Sequence, residues 1–564
     1  RITATPVASI RDVEHKARLL REANAAAEPL RLVADALTGA GLRAAGQSTK
    51  KQNAIFVELE SGVWADETNN DTSVLDRYAA DIQTGRPAGK EPRRPLHWPL
   101  IFPEVFSDTR DPGFDAVIGN PAFLGGKKIS GTLGDDYLAW LATWDGHGVK
   151  GHADLAARFV LRATGLLNGQ GQLGYVTTNT LVEGDTLEVG LLQVERAGWW
   201  VQRGTSSHPW PSSSASLSII EIWLGRTRGA APPVLDDEPV PNLGVDLQPY
   251  LTETGRPERL TENDDTAFIG SYVLGLGFTL DADAAQDMIA ADPRNADVLM
   301  PYIIGADLNR RPDTSAGRWV INFFDWPLDR AEHYERPLEQ VRRLVKPERD
   351  RKKREVHKRL WWQYADRRVA LYETVECMSH VLVTSRVSDL VIPARVPTGQ
   401  VFAERLVVFA SEGFADLAVL SSSMHQVWVM RYTSTMGTTL MYAPSDVFVT
   451  WPRPGSTAAL TGLGKQLDTE RRELMLGRSL GLTKLYNQVH DPSVTDPAIA
   501  RLREIHEQID YAMLDAYGWT DLKLDIGHHP TKIGIRWTVS PQARYELLDR
   551  LLIENHRRAA TQRS

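Results

Sequence analysis

The stretch "FDAVIGNPAFLGGKK", residues 114–128, decides the fold of this chain. Its apolar beginning predicts a buried β-strand, and the strand pattern stops at Asn120 and Pro121. Phe123 follows, and then come two glycines and two lysines. Sheets of the α/β class bind their ligands beyond the C-terminal ends of parallel strands. We therefore expect this strand to present one amide side chain, one proline carbonyl and one aromatic ring to a ligand.

Strand and helix patterns alternate after this stretch. Residues 135–144 and 152–167 predict helices, and "GQLGYVTTN" and "SLSIIEIWL" predict two more strands. This alternation predicts an α/β domain with a largely parallel sheet. The Pro-rich, acidic stretch "GAAPPVLDDEPVPN", residues 229–242, is the best candidate for a linker that ends the domain.

The rest of the chain gives weaker patterns. Residues 12–46 predict helix, divided at Pro29, and residues 47–100 are polar and predict irregular structure with an ordered, aromatic-rich segment at 97–106. Residues 245–455 mix short strands and helices, whereas 456–564 are mostly helical with breaks near "HDPSVTDP" and "GHHPTK".

Composition narrows the class of protein. The chain has 564 residues, 42% hydrophobic and 24% charged, so it has ample core material for several domains. Its one cysteine, Cys377, excludes a disulfide framework and fits a reducing cytoplasm. No stretch of 18 apolar residues and no signal peptide is evident, so we expect no membrane insertion and a cytoplasmic location. The chain begins at Arg1, and we expect a fragment or a processed product.

The Asn-Pro-x-aromatic pattern has a chemical interpretation. The side-chain carbonyl of Asn120 and the backbone carbonyl of Pro121 are two acceptors that can bind both hydrogens of one amino group. They draw the nitrogen toward tetrahedral geometry and make its lone pair nucleophilic, while Phe123 can stack on the ring that bears the amine. An exocyclic amine of a base rotated out of the duplex suits this arrangement. The alternative is a strand that simply ends at proline, with Phe123 in the core.

The wider sequence resembles a known family. "FDAVIGNPAFLGGKKISGTLGDDYLAWL", "HADLAARFVLRATGLL" and "GQLGYVTTNTLVEGDT" together resemble adenine-N6 DNA methyltransferases of the gamma type. The similarity is greatest to the large methylases of restriction–modification enzymes and of the DISARM and BREX phage-defence systems. It continues from about residue 95 through "WVINFFDWPL" and "RYTSTMGTTLMYAPSDVFVTWPRP". The family's catalytic Asn-Pro-Pro-aromatic motif maps to Asn120, Pro121, Ala122 and Phe123.

The resemblance implies a fold and a set of partners. The fold is α/β, with a Rossmann-like methyltransferase core, a mixed α+β target-recognition domain and a helical C-terminal region. The implied partners are S-adenosylmethionine and double-stranded DNA, with other defence-system proteins as further partners. The domains would be a helical insertion at 1–96, the catalytic core at 97–228, the target-recognition domain at 245–455 and the helical region at 456–564.

Two features depart from the family. Ala122 replaces a proline, which keeps both acceptors but removes backbone stiffness. The Gly-rich cofactor motif expected after a strand is absent from residues 1–119, because "GAGLRAAG", residues 39–46, lies in an Ala-rich helical pattern. We therefore expect the cofactor site in an upstream segment or a separate subunit. The competing hypothesis is a methylase-derived DNA-recognition subunit without catalytic activity.

A basic segment points to DNA. Residues 342–368 carry twelve lysines and arginines against four acidic residues, in a chain of net charge −8. Such segregation predicts contact with the phosphate backbone. The expected DNA contacts are Lys127, Lys128, Arg351, Lys352, Lys353, Arg354, Lys358, Arg359, Trp361, Trp362 and Arg431. The alternatives are a solvated charged helix with aromatic core anchors and, for "RYTSTMGTTLMYAP", a Thr-rich β-hairpin.

Other candidate chemistry is weak. Asp12, Glu14 and Lys16 only superficially match a nuclease motif, because they lie in a helical pattern. His490, His506, His528 and His529 meet no metal-ligand spacing, and we expect surface or helix-capping roles for them and no metal site.

Overall fold

The computed structural model describes residues 7–107, 110–210, 218–229, 231–252, 255–352, 354–436, 439–531 and 533–563. The chain divides into two units, Arg1–Pro249 and Tyr250–Ser564, and both are mixtures of helices and strands. None of the helices in the described part of the chain combines the length and hydropathy needed to cross a bilayer.

The helices and strands of unit 1, Arg1–Pro249, are as follows. Its helices are α1 Ile10–Ala26, α2 Glu28–Ala44, α3 Thr49–Asn69, α4 Ser73–Ala80, α5 Trp98–Ile101, α6 Pro103–Phe106, α7 Gly126–Leu133, α8 Asp135–Trp140, α9 Leu155–Thr164, α10 Gly184–Val189 and α11 Leu191–Arg196. Its strands are β1 Phe114–Gly119, β2 Leu167–Thr178, β3 Trp200–Pro209, β4 Ser218–Gly225, β5 Val234–Leu235, β6 Glu238–Pro239 and β7 Asn242–Leu243, and the boundary between the units falls in β8, Pro249–Tyr250.

Helices α1 to α4 form the first part of unit 1. Pro29 lies in the first turn of α2, which confirms the predicted division of the helical pattern. The prediction that residues 47–100 are irregular was wrong, because α3 and α4 occupy much of that range. Both helices have polar sequences, but Leu59, Leu75 and Tyr78 from them pack together in a small core. Polar exposed faces weakened the helical pattern, while tertiary packing stabilises both helices.

A six-stranded sheet in the order β1-β2-β4-β3-β5-β6 forms the second part of unit 1. The three strands predicted after residue 113 are present as β1, β2 and β4. β1 pairs with β2 in parallel, whereas β4 lies antiparallel between β2 and β3. β3 and β5 pair in parallel, and β5 and β6 are antiparallel. Three of the five pairings are therefore antiparallel, and the prediction of a largely parallel sheet was wrong. The prediction of a linker at 229–242 was also wrong, because β5 and β6 lie within it and belong to the sheet. β1 is the edge strand on its side of the sheet.

One face of this sheet carries the core of unit 1. Helices α9, α10 and α11 contribute apolar side chains that pack with those of β2, β3 and β4, such as Leu173 and Ile222, which are both fully buried. The aromatic lead-in is ordered as predicted, because Trp98, Phe102 and Phe106 all contact the ring of Phe114 edge-on. These contacts anchor the start of β1. Its far end, at Ile118, is 86% exposed.

The helices and strands of unit 2, Tyr250–Ser564, follow. Its helices are α12 Ala282–Ala291, α13 Gly305–Arg310, α14 Leu328–Ala331, α15 Glu335–Leu344, α16 Lys346–Asp350, α17 Glu355–Arg359, α18 Val369–Val375, α19 Phe414–Ser421, α20 Ser423–Tyr432, α21 Ala458–Arg478, α22 Leu482–His490, α23 Pro497–Tyr517 and α24 Pro541–Arg563. Its strands are β9 Ala267–Ile269, β10 Thr279–Leu280, β11 Leu299–Ile303, β12 Arg318–Ile321, β13 His380–Ser385, β14 Val387–Ser388, β15 Ala394–Pro397, β16 Val401–Phe402, β17 Leu406–Phe409, β18 Ser434–Met436, β19 Thr439–Met441, β20 Gly527–Thr531 and β21 Gly534–Thr538.

Unit 2 contains several small sheets. β10, β12, β11 and β16 form one sheet, and β15, β13, β17 and β9 form another. The Thr-rich stretch predicted as a possible hairpin pairs β18 with β19 in antiparallel fashion. Residues 527–531 of the stretch "GHHPTK", predicted only as a break between helices, form strand β20 of the hairpin β20–β21, and its last residue lies outside the described residues. The largest core of the unit joins the β13 sheet to helices α19 to α24.

Candidate active site

The Asn-Pro-x-aromatic residues lie where β1 ends, in the loop between β1 and α7. Asn120 is exposed, Pro121 is buried, and Ala122 is exposed. Phe123 is 37% exposed, so its ring lies at the surface of the unit, and the alternative of a core phenylalanine is not what the structure has. An exposed amide and an exposed ring are therefore available beside each other at the end of a parallel strand.

Two contacts hold the far side of this loop. The backbone N–H of Leu124 donates to Oδ1 of Asp154 at 3.3 Å, and the N–H of Leu155 donates to the carbonyl of Leu124 at 3.0 Å. Gly126 lies so close to the backbone of His152 that a Cβ on it would be 2.3 Å from the His152 carbonyl oxygen. Only glycine fits at this position. The close approach and the two hydrogen bonds hold the loop against the residues that begin α9.

The end of β2 lies beside the end of β1, because Gly119 pairs with Tyr175 in a parallel register. β2 ends in hydroxyl residues, and an amide follows. Thr177 is fully buried, and its Oγ1 has no hydrogen-bond partner among the described residues. Asn179 donates through Nδ2 to Glu183 at 3.3 Å. These residues were not predicted as candidates for the site, although "GYVTTN" has the pattern of a strand followed by polar side chains.

Tyr175 supports the end of β1. A Cβ on Gly119 would lie 3.3 Å from the Tyr175 ring, so the strand passes directly over that ring. The Tyr175 hydroxyl donates to the carbonyl of Phe159 at 3.4 Å, and burial raises the pKa of Tyr175 to about 12. The phenol is therefore neutral at ordinary pH, and its place under the strand is structural.

Lys127 and Lys128 lie in the first turn of α7, and both are exposed. Both lysines follow Asn120 closely in the sequence. Asp135 and Asp136 lie in the first turn of α8, where negative charge is favourable to the helix.

The basic segment belongs to unit 2 and contains both exposed and paired cations. Arg351, Arg354 and Arg359 are exposed and have no acidic partner in the part of the chain that the structure describes. Lys352 and Lys358 form ion pairs with Glu348 and Glu355 at 3.2 and 2.6 Å. Lys353, the remaining predicted contact of this run, lies outside the described residues.

Trp361 and Trp362 correct the predicted DNA contacts. Both rings are buried, at 6% and 7% exposure, in a core with Val341 and Phe278. Nε1 of Trp362 donates to the carbonyl of Trp326 at 2.9 Å. Neither ring is available to stack on a base, and the alternative of aromatic core anchors is correct. Burying two large aromatic rings is favourable, so they are core residues although they follow a basic run in the sequence.

Arg349 is also structural. It is fully buried, and its guanidinium donates to the backbone carbonyls of Val273, Leu274 and Gln363 at 3.0 to 3.2 Å. A basic run in the sequence therefore contains a cation that serves folding. Arg431, predicted as a DNA contact, lies half-buried in the last turn of α20, and its guanidinium is 5.3 Å from the Tyr432 ring centroid.

His490 lies at the end of a helix, in agreement with the predicted capping role, whereas His506 is partly buried inside a helix. His490 is the last residue of α22, and its Nδ1 accepts a hydrogen bond from the backbone N–H of Trp537 at 3.1 Å. Nε2 of His506 is 2.9 Å from the Tyr486 hydroxyl. Burial is the main cause that lowers the pKa of His506 to about 4. No group of three metal-ligating side chains is found among the residues that the structure describes.

The described residues ahead of β1 do not form a cradle for a nucleoside cofactor. In residues 7–107 and 110–113 the structure has the helices α1 to α6 and no strand, so no strand-to-helix glycine turn exists there. Gly39 lies inside α2, where a Cβ would be 1.8 Å from the carbonyl oxygen of Tyr78. That glycine permits α2 and α4 to pack closely, which explains it without a ligand.

Comparisons with known proteins match two parts of the chain. Residues 47–193 match the family model of the Eco57I restriction-modification methylase. Residues 263–455 match that of the MmeI target recognition domain. The resemblance to restriction–modification methylases is confirmed. The segment that matches a methylase family thus precedes the segment that matches a target recognition domain. No curated protein matched the sequence.

Two solved structures align with most of the chain, and one of them shares its fold. The Type IIL restriction-modification enzyme MmeI, solved in complex with DNA, matches with a TM-score of 0.58 at 14% identity, covering 79% of this chain and 57% of that chain. At that identity the match shows a shared fold, and this chain spans little more than half of MmeI. The Type IIG restriction endonuclease BpuSI aligns with 72% of this chain and 54% of its own at 10% identity, but its TM-score of 0.25 is too low to indicate a common fold.

Proposed function

We propose that this chain is the catalytic and DNA-recognising part of a site-specific DNA adenine-N6 methyltransferase of a restriction–modification or phage-defence system. The observation that carries the proposal is the exposed Asn120 beside buried Pro121 and half-exposed Phe123 at the end of β1. The match of residues 47–193 to a methylase family and of 263–455 to a target recognition domain supports it. Double-stranded DNA is the proposed substrate, and the cytoplasm is the proposed location.

The proposed chemistry uses two acceptors and one ring. The Asn120 side-chain carbonyl and the Pro121 backbone carbonyl accept the two hydrogens of the adenine N6 amine, and Phe123 stacks on the base. Converging acceptors pull the amine out of conjugation with the ring, so its lone pair becomes available for attack on a methyl group. A base that has rotated out of the duplex can reach Asn120 and Phe123 only if both side chains are exposed. Their exposure therefore supports this assignment.

The methyl donor, S-adenosylmethionine, does not fit the described residues of unit 1, which have no glycine turn after a strand ahead of β1. We propose that another segment or a separate subunit holds it and completes the sheet along the free edge of β1. Titration calorimetry tests this point. We expect no micromolar binding of S-adenosylmethionine by residues 1–564, and such binding would contradict the proposal.

Unit 2 is proposed to choose the DNA sequence. The MmeI target recognition match covers most of its first two-thirds, and the exposed Arg351, Arg354 and Arg359 supply positive charge for phosphates. The proposed domain divisions remain 1–96, 97–228, 245–455 and 456–564, with the last region bracing the third. Other defence-system proteins remain proposed partners.

A second candidate function is DNA recognition without catalysis. Ala122 in the catalytic motif and the poor fit of the described residues to a cofactor favour it. Such a subunit would bind DNA within a defence complex and leave methyl transfer to another protein.

Asn120→Ala separates the two functions. In the assembly that includes the cofactor site, we expect the variant to lose methylation of duplex adenine while it keeps DNA affinity, because affinity arises mainly from backbone contacts. Asn24→Ala is the matched control, since Asn24 is an exposed asparagine of helix α1, in the same unit and outside the loop between β1 and α7. Methylation that survives Asn120→Ala would support recognition without catalysis by this site.

A further inference from the structure

Unit 2 contains a cavity of about 70 Å³, and all the residues that line it belong to this unit. Its wall is formed by residues 390–393, the first turns of α20, the end of α22, part of α23 and the hairpin β20–β21. One water needs roughly 10–15 Å³ of such space, so the cavity has room for about five water-sized atoms.

Unpartnered hydrogen-bond donors are concentrated in this wall. Nε2 of Gln426, Nε1 of Trp537, Nε of Arg536 and Oγ of Ser421 are all buried and have no partner among the described residues. The orientation of the Gln426 amide is set by its Oε1, which accepts from the backbone N–H of Val391 at 3.1 Å. Buried donors without acceptors cost free energy, and native structures contain few of them.

His490 adds a further donor. Its Nδ1 accepts from the backbone N–H of Trp537, so the neutral ring carries its hydrogen on Nε2. Burial and, after it, the positive charge of Arg536 lower the pKa of His490 to about 3, which keeps the ring neutral at ordinary pH. Arg536, which lines the cavity, places a positive charge at this end of it.

Acidic groups are scarce around the cavity. Among the described residues that line it, none is Asp or Glu. The carboxyl group of Asp510 accepts from the backbone N–H of Ser423, a lining residue, at 2.7 Å. Burial raises the pKa of Asp510 to about 7, so it carries less negative charge near neutral pH than an ordinary aspartate.

We propose that this cavity binds a small free oxyanion, with inorganic phosphate as the best fit. Ser421, Gln426, Arg536 and Trp537 would donate hydrogen bonds to its oxygens, and Arg536 would supply the counter-charge. A tetrahedral phosphate matches the space and offers acceptor oxygens to several donors at once. The ligand would join the β20–β21 hairpin to α20 and α22 and so stabilise the junction between the target-recognition segment and the C-terminal helices.

Titration calorimetry of residues 1–564 with sodium phosphate tests the proposal, with sodium chloride at equal ionic strength as the reference. We expect saturable binding at one site. Arg536→Gln removes the counter-charge and should weaken binding by roughly tenfold or more, as expected for loss of a hydrogen bond to a charged group. Trp537→Phe keeps an aromatic ring but removes one donor, and it should weaken binding less.

Trp519→Phe is the matched control, because Trp519 stacks on Tyr517 in the same unit and does not line the cavity. Melting temperatures without phosphate show whether each variant folds. Phosphate also stabilises proteins non-specifically, so only a difference between variants and control counts. Absence of saturable heat, or equal affinity in Arg536→Gln and Trp519→Phe, would overturn the proposal and leave water as the partner of these donors. If Arg536→Gln instead weakens only duplex DNA binding, the free-anion site is likewise overturned.

Discussion

A hydrogen bond from the backbone N–H of Leu124 to the side chain of Asp154 joins the candidate catalytic loop to the start of helix α9. Oδ1 of Asp154 accepts from the backbone N–H of Leu124 at 3.3 Å and from the N–H of Ala156, in the first turn of α9, at 3.0 Å. The backbone N–H of Asp154 in turn donates to Oγ1 of Thr186 at 3.1 Å. One buried carboxylate therefore caps a helix and orients the loop that carries Asn120.

Asp154→Ala is expected to affect both stability and methyl transfer. Loss of the N-cap should lower the free energy of unfolding by about 0.5–2 kcal/mol, and the released loop should slow methylation further. Asp154→Asn keeps an acceptor and should restore most of both. Urea unfolding and single-turnover methylation in the complete assembly measure the two effects.

Asp281→Ala provides the control for Asp154→Ala. Asp281 caps α12 by accepting from the N–H of Ala284 at 2.7 Å, and it is exposed. The Asp281→Ala substitution should lower the free energy of unfolding by a similar amount without changing methylation, because Asp281 belongs to unit 2 and the loop belongs to unit 1. An equal loss of methylation in both variants would reduce the role of Asp154 to helix capping.

Ala122→Pro is expected to raise methyl transfer without adding a contact to the base. Proline fixes its own φ and biases Pro121 toward extended backbone, which orients the Pro121 carbonyl. The backbone N–H of Ala122 has no hydrogen-bond partner in the described part of the chain, so its removal should leave the melting temperature unchanged within a few degrees. Single-turnover methylation of parent and variant in the complete assembly is the measurement. A variant that is equally stable and equally inactive would favour recognition without catalysis.

Charge reversal of Arg351, Arg354 and Arg359 to Glu is expected to weaken DNA binding and flatten its salt dependence. Each lost phosphate contact should reduce the slope of log affinity against log salt by about 1. Fluorescence anisotropy across a salt series measures it. The control reverses three exposed lysines elsewhere in the unit, Lys465, Lys484 and Lys523, with the same change in net charge. Equal effects from both sets would mean that only net charge matters.

Asp510→Asn is expected to change the pH dependence of stability. Burial raises the pKa of Asp510 from its ordinary 3.8 to about 7, so the folded chain holds this proton more tightly than the unfolded chain. Its contribution is fully present below about pH 4 and is lost as the pH rises to about 7, by up to about 1.4 kcal/mol per pH unit. Asparagine can still accept from Ser423 and does not titrate. The free energy of unfolding of Asp510→Asn, relative to that of the parent chain, should therefore rise from pH 5 to pH 7. Urea unfolding of both chains at several pH values measures it, and a constant difference between them would contradict this prediction.

Local signals in the sequence predicted much of unit 1. The apolar runs that became β1, β2 and β4 are short and bounded by breakers, and Pro29 marks a helix start by its fixed φ. The exposure of Asn120 and Phe123 at the end of a strand also followed from such a pattern. These features depend on neighbours along the chain, which a sequence records directly.

Features that depend on distant contacts were not predictable in this way. Trp361 and Trp362 follow a basic run, yet they are core residues because partners such as Trp326 and Phe278 lie far away in sequence. The cavity wall joins Val391 to Trp537, nearly 150 positions apart, and no local pattern connects them. The polar helices α3 and α4 were missed because their apolar contacts are few and lie on one narrow face.

The open edge of β1 has a consequence for handling the protein. β1 has a hydrogen-bonded neighbour on one side only, and Ile118 near its end is 86% exposed. Unpaired strand edges with apolar side chains are templates for aggregation. Purified alone at high concentration, residues 1–564 should self-associate through this edge, and an Ile118→Lys substitution should keep the chain dispersed.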